Sequence, residues 1–520
     1  MHSNRQRGRF RLGEDGSVKT SGLPDTPATL AALVHARDAL GEVRRPDADT
    51  HLTLSLLLLR LASDEQQARA STPTRMPSSQ QPALPFSVPA HARFDTLLRQ
   101  RHAPGNGHRL MAALRVFTLA NPRRLGGIFP ALELGDALPL DEGERDEVLI
   151  RFLERLSLPA LEFRRVEGFG NPCIGDAVEA LLARPGAARA GSRQGQMPAA
   201  LAWLMAALTQ PEASEAVYDP HCRQGTVLLA ASRWMQGDDN GVARRPVRHP
   251  LYGQEADPLL CALARLRLLL HGNENPHLRS RDALEDPLLE QGRLQRFEVA
   301  LACPPLHLTW APTHAATDPH LRFMQGIAPK QWAHAALAQH MLATLDPQRG
   351  RMAIVVPHGV LFRDGEEARI RLAWLDSNQV ETVIGLPDRL FAGSSVATAL
   401  VVMRKGRRDD TVLFIDARPL ATAGKRGSRL ATDAASTLLR MCTDRRSVPG
   451  VAHLAHRDEV VENNGNLSIA RYVQPSPNRP ATDLATLRAR RAALSARFAA
   501  IHDELNAELD ALEREFSKLA

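Results

Sequence analysis

The stretch FEVALACPPLHLTW, residues 297–310, runs from a mostly apolar segment into a Pro-Pro corner. Its composition predicts a buried strand that ends in a rigid turn. Corners of this kind, with Asn before the prolines and an aromatic ring after them, hold a nucleobase for methylation. Here Cys303 precedes Pro304 and Pro305, and Leu306 follows them. Upstream, VYDPHCRQGTVLLAASRWM (217–235) reads as a strand, a turn and a helix beginning near Thr226. A glycine-bearing turn at such a place lets the backbone approach a cofactor while helix N–H groups point at it. An ordinary strand-to-helix turn is the alternative. In LYGQEADP (251–258), Glu255 ends the next strand, where a carboxylate can accept hydrogen bonds from both ribose hydroxyls of a nucleoside. A solvated strand-end carboxylate is the alternative there. Asp282, in RDAL, either reaches an adenine ring at the end of a third strand or caps a helix.

These residues need a scaffold, and the pattern after about residue 195 supplies one. Strand-like runs (EAVYDP, HPLYGQEA, RFEVALACPP, GRMAIVVPHGV, QVETVIGLP, ATALVVMRK, TVLFIDAR) alternate with helices such as DPLLCALARLRLLLHG. Such alternation predicts an α/β, doubly wound, Rossmann-like sheet, mostly parallel and covered on both faces. Ligands in these sheets sit at the carboxyl ends of strands where connections reverse, which is where the segments above fall. The chain before it is mostly helical, with Leu54, Leu57, Leu58 and Leu61 at helical spacing. The expected organisation is a disordered basic arm over 1–27, a helical domain over 28–185 with a Pro/Ser-rich linker at 70–85, and the α/β domain over 186–475. A C-terminal amphipathic helix then follows over 476–520. Leu487, Leu494 and Ile501 repeat there every seven residues, as do Phe498, Leu505, Leu512 and Leu519. That stripe packs either on this chain or on another subunit.

Composition narrows the class. A chain of 520 residues has room for two or three cored domains. No apolar run reaches the roughly 18 residues that span a bilayer, and the basic N-terminus lacks an apolar signal core. The five cysteines are scattered without a CxxC pair, so neither a disulfide framework nor a metal site is expected, and a reducing cytoplasm fits. The net charge of +7 and pI near 9.5 favour polyanionic partners.

Taken in order, DPHCRQG, GQEADP, LHGNENP, RDALEDP, FEVALACPP, VVPHGVLFRDGEEARIR, VIGLPDRLF and NNGNLSIARYV resemble the methylation (modification) subunit of type I restriction-modification systems. These are adenine-specific N-6 DNA methyltransferases, and the similarity extends over roughly residues 28–475. In the helical half, THLTLSLLLLRLASD, FSVPAHARFDTLL and IGDAVEALLA are similar to further landmarks of that family. The resemblance implies a class I methyltransferase sheet over 186–475 and S-adenosylmethionine as methyl donor. It also implies DNA, a sequence-recognition subunit and a motor-nuclease subunit as partners. Matched residue by residue, it assigns the cofactor to Asp219, Cys222, Gly225, Glu255, Asp282 and Pro198. The flipped base falls to Cys303, Pro304, Pro305 and Leu306. In that chemistry the base leaves the stack and its faces and edge are read in a pocket. The protein then mainly aligns an already activated methyl group with the amino nitrogen.

Three departures from the family pattern stand at separate contacts. Arg223 occupies the place of the cofactor loop's first glycine, where a left-handed backbone costs a non-Gly residue about 1 kcal/mol or more. Its charge also opposes a sulfonium. Gln196-Met197-Pro198 replaces an aromatic-Thr-Pro segment near the cofactor's amino-acid end. At the corner a thiol replaces the amide acceptor, and Leu306 replaces a stacking ring. The expectation is a methyltransferase fold with weakened or lost catalysis. A fully non-catalytic scaffold that binds DNA or another subunit is the alternative.

Overall fold

The computed structural model describes residues 26–41, 47–71, 86–129, 133–161, 163, 172–183, 197–237, 250–273, 275–424, 427–474 and 484–519. Residues 1–25 of the expected arm, 72–85 of the expected linker and Gln196 lie outside them.

Nine strands form one sheet: β1 (Val217–Asp219), β2 (Leu251–Gln254), β3 (His277–Arg279), β4 (Val299–Ala302), β5 (Arg351–Pro357), β6 (Val380–Gly385), β7 (Thr398–Arg404), β8 (Thr411–Asp416) and β9 (Ala452–His456). Their order is β3-β2-β1-β4-β5-β7-β6-β8-β9. From β3 to β5 every neighbouring pair is parallel, with Val217 beside both Leu251 and Val299. β7 runs antiparallel between β5 and β6, and β9 lies antiparallel on β8. All residues of β4 and β5 are buried, as the apolar runs VALA and MAIVVP require of central strands covered on both faces. The chain order reverses between β1 and β4, which opens a crevice at their carboxyl ends.

Ahead of the sheet lie α1 (Thr26–Asp38), α2 (Ala48–Ser71), α3 (Asn106–Ala120), α4 (Glu142–Leu156), α5 (Pro172–Ala183) and α6 (Ala199–Thr209). Within and after it come α7 (Thr226–Gln236), α8 (Pro258–Leu270), α9 (His334–Thr344), α10 (Glu366–Asp376), α11 (Thr432–Asp444) and α12 (Leu484–Leu519). One helix joins the two halves. α8 starts at Pro258, with the Asp257 carboxylate capping the N–H groups of Leu259 and Leu260. Leu259, Leu263, Leu266 and Leu270, spaced by three or four residues, enter the core of the helical half. Cys261, Ala264 and Leu268 face the sheet. The two regions therefore share α8, whose apolar faces enter both cores.

No described helix is long and apolar enough to cross a membrane. In α12 the described part of the heptad stripe is open: Leu494 is 60% and Phe498 73% exposed. Among the described residues, none packs over it.

Candidate functional site

β1 delivers Asp219 to the crevice, and the next six residues fold into a turn pinned to the end of β2. The Cys222 N–H donates to the Gln254 carbonyl at 2.9 Å, and the Arg223 N–H to Glu255 Oε2 at 3.0 Å. Gly225 caps α7 with φ +75, and a Cβ there would stand 3.2 Å from that of Ala264. Close packing of the turn on α8 thus needs glycine. Arg223 has φ +47, the left-handed conformation expected where the family carries its first glycine.

Glu255 is buried, and each carboxylate oxygen already has one backbone donor: Oε2 from Arg223 and Oε1 from the Asp257 N–H at 3.0 Å. A carboxylate oxygen takes two donors, so one acceptor position per oxygen remains. Asp219 is 1% exposed and accepts from the His221 N–H. Burial, with the Glu255 charge beside it, pushes its carboxyl up to about 8. The sign of the pH effect follows. The folded state binds this proton more tightly than the unfolded state, so stability falls as pH rises from about 4 to about 8. Asp219→Asn is therefore expected to stabilise the chain by up to about 5 kcal/mol at pH 9 and by little below pH 4. Urea melts of both proteins at the two pH values check this; an equal difference at both would refute it.

β4 delivers the corner. Cys303 and Leu306 are 9% and 8% exposed and belong to one apolar cluster with Leu390 and Phe391. Leu306 is packed into that core. Burial, reinforced by Asp219, pushes the Cys303 thiol up to about 12, so it stays neutral and is no nucleophile. Pro305 is fixed from behind: its carbonyl accepts from the Leu308 N–H at 3.0 Å and from His334 Nε2 at 3.0 Å. Because a carbonyl only accepts, Nε2 carries the proton, and burial, which lowers this imidazole to about 4, keeps the ring neutral. Trp310 is committed elsewhere, its Nε1 donating to the Ala328 carbonyl and its ring lying 5.0 Å from that of Phe323. His307 remains exposed beside the corner.

Asp282 follows β3 and precedes a turn, not a helix; its carboxylate accepts from the Leu284 N–H at 2.8 Å. A buried network holds this turn. Arg322 donates to the carbonyls of Ala283 and Leu284, to Asp318 and to His340 Nδ1. Tyr218 donates to Gln254 Oε1 and receives His340 Nε2–H at 3.0 Å, the only tautomer compatible with the Arg322 donor. Gln254 then reaches the Asp286 carbonyl.

Asp219, Cys222, Gly225, Glu255 and Cys303 thus gather at the reversal point, with Asp282 on its flank. Pro198 caps α6, where its carbonyl accepts from Leu201 and Ala202 within that helix. His334, Arg322, His340 and Tyr218 escaped the sequence reading. The first three sit in segments that read only as loop or apolar helix, and Tyr218 reads as an ordinary strand residue.

The strand order, the antiparallel β7 and the crevice between β1 and β4 define a class I, Rossmann-like methyltransferase fold. The N-6 DNA methylase family model matches residues 171–480, and the chain belongs to that family. A methylase subunit of the type I restriction enzyme MpnII of Mycoplasma pneumoniae is 27% identical over 371 residues, 68% of this chain and 66% of that one. The MjaVII methylase subunit of Methanocaldococcus jannaschii is 27% identical over 326 residues, 60% of this chain and 54% of its own length. The matches therefore span only about half to two thirds of these relatives. Among solved structures, a type I restriction-modification methyltransferase subunit from Streptococcus thermophilus superposes with TM-score 0.72 at 24% identity. That match covers 86% of this chain and all of that one. A modification subunit of a type I restriction enzyme from Vibrio vulnificus gives TM-score 0.60 at 19% identity, covering 85% and 94%.

Proposed function

We propose that this chain is the methylation subunit of a type I restriction-modification system, acting on DNA in the cytoplasm. Its partners are a sequence-recognition subunit and, for cleavage, a motor-nuclease subunit. Its reaction is methyl transfer from S-adenosylmethionine to the amino group of a flipped adenine, weakened or lost in this sequence. The observation that carries the reading is Arg223 in a left-handed turn at the β1–β4 reversal, close enough to Cys303 for its charge to bias the thiol. The residues fit one end of the cofactor and not the other. Glu255 keeps an acceptor position on each oxygen for a ribose, and Asp282 stands on a braced turn. At the methionine end, Arg223 sets a cation against a sulfonium, and Cys303 supplies no strong acceptor.

A second reading, a non-catalytic scaffold, would keep the subunit contact that the exposed apolar stripe of α12 offers. Calorimetric titration of the purified chain tests the proposal. S-adenosylhomocysteine, which lacks the sulfonium charge, is expected to bind at least about tenfold more tightly than S-adenosylmethionine. Micromolar binding of S-adenosylmethionine, with adenine methylation once a recognition subunit is added, would overturn it.

A further inference from the structure

Glu179 lies on α5, in the helical half, yet it is joined to the cofactor turn through a single side chain. Arg267 of α8 grips it with both prongs, Nε on Oε1 at 2.6 Å and Nη2 on Oε2 at 2.5 Å. The remaining prong, Nη1, donates to the Gln224 carbonyl at 3.0 Å and to Thr226 Oγ1 at 2.8 Å. Those two residues flank Gly225, the cap of α7. His271, the C-cap of α8, adds a contact from Nε2 to Glu179 Oε1 at 3.2 Å. Gly175 makes the approach possible, since a Cβ there would fall 2.4 Å from His271 Nδ1. A second pair, Arg233 on Asp176 at 3.2 Å, ties α7 itself to α5.

A buried ion pair is by itself weak evidence of anything but cost. The distinguishing feature is the third prong. A planar guanidinium can hold a carboxylate bidentately and still reach a second target in fixed geometry, which a lysine cannot do. Arg267 is only 7% exposed, so water replaces none of these bonds without local opening.

We infer that Glu179 and Arg267 form a strut that sets the cofactor turn according to the position of α5. Whatever shifts the helical half, DNA or a partner subunit, therefore changes the turn's grip on its ligand. The pair are positioning residues, and the inference rests on reading residues 219–225 as a cofactor turn.

Hydrogen–deuterium exchange on the full chain tests the strut without any ligand. Glu179→Gln removes the charge that holds Arg267. Glu179→Leu with Arg267→Leu replaces the pair with apolar side chains that keep the fold. Both are expected to speed exchange in residues 220–228 by roughly tenfold or more while β7 and β8 keep their protection. Arg267→Lys is expected to behave likewise, because it keeps the charge but cannot span both targets. Unchanged exchange in 220–228 would overturn the strut, as would equal acceleration throughout the sheet, which marks global destabilisation. In parallel, affinity for S-adenosylhomocysteine is expected to weaken in the same variants. If the unaltered chain binds none, the cofactor reading fails, while the exchange result still decides the coupling.

Discussion

Arg223→Gly combined with Cys303→Asn is expected to raise adenine methylation by roughly 100-fold or more over the unaltered chain. The assay is transfer of labelled methyl groups to duplex DNA in the presence of a recognition subunit. The two substitutions act on different terms. At 223 the backbone is already left-handed, φ +47, so glycine fits the existing turn and relieves about 1–2 kcal/mol of conformational cost. On the proposed reading the same change also removes a cation that opposes the sulfonium, which is expected to show as tighter S-adenosylmethionine binding in calorimetry. At 303 the gain belongs to the transition state. The neutral, buried thiol offers almost nothing to an amino group whose nitrogen must become nucleophilic, whereas an amide oxygen accepts its proton strongly. Losing one aligned partner of this kind costs about 2.7–4 kcal/mol in comparable sites, and restoring it returns a similar amount. Each single variant should therefore fall short, Arg223→Gly by transferring slowly and Cys303→Asn by binding poorly. A double variant that binds S-adenosylmethionine tightly yet transfers no faster would defeat the proposal. So would an unaltered chain that already matches it.

The same two positions show what a sequence can and cannot convey. Arg223 was legible because a glycine-rich turn has a fixed spacing from the strand before it, so a foreign side chain stands out. Its backbone conformation confirms the geometric demand. Every long central strand was legible too, since buried parallel strands are written as unbroken apolar runs such as MAIVVP. The short edge strand β9 was not, since AHLAH carries exposed, polar positions and no periodic signal, and β3 was expected only as the third strand ahead of Asp282, because HLR has no such signal of its own. Leu306 matched the base-stacking position by its place after the prolines, and its burial in the apolar cluster is visible only in the packing. His334, Arg322 and Arg267 were invisible for a different reason. Each owes its role to a partner far along the chain, Arg267 to Glu179 at 88 residues' distance and Arg322 to Ala283 at 39. Nothing local marks such a residue. The shared helix α8 shows a middle case: its two apolar faces were readable as an all-round apolar helix, but not which core each face would enter.

Arg322→Leu is expected to cost about 3–5 kcal/mol of stability, far more than the same loss of charge elsewhere. A comparison inside this molecule isolates the reason. Arg349 meets Glu298 at 2.9 Å and Arg322 meets Asp318 at 2.9 Å, so contact distance does not separate them. Exposure does, at 66% for the Arg349 side chain and 5% for that of Arg322. Water already solvates Arg349, and Arg349→Leu should cost at most about 1 kcal/mol. Removing the Arg322 side chain leaves the carbonyls of Ala283 and Leu284 and His340 Nδ1 without that donor, and leaves the Asp318 carboxylate only the backbone N–H of residue 322, among side chains that are about 5% exposed. The dependence on pH adds a second check. Despite burial, Arg322 holds the Asp318 carboxyl below the usual range, so the pair's contribution is complete above about pH 4 and fades as pH falls through that lowered value. The gap between the unaltered chain and Arg322→Leu in urea melts should accordingly be widest near neutrality and narrow towards pH 3. A functional consequence follows from where the bonds end. Ala283 and Leu284 directly follow Asp282, so their release loosens the turn that carries the proposed adenine contact. At temperatures where the variant remains folded, S-adenosylhomocysteine should bind it more weakly than it binds Arg349→Leu. Equal destabilisation of the two variants would show that burial of the Arg322 network is not what makes it matter.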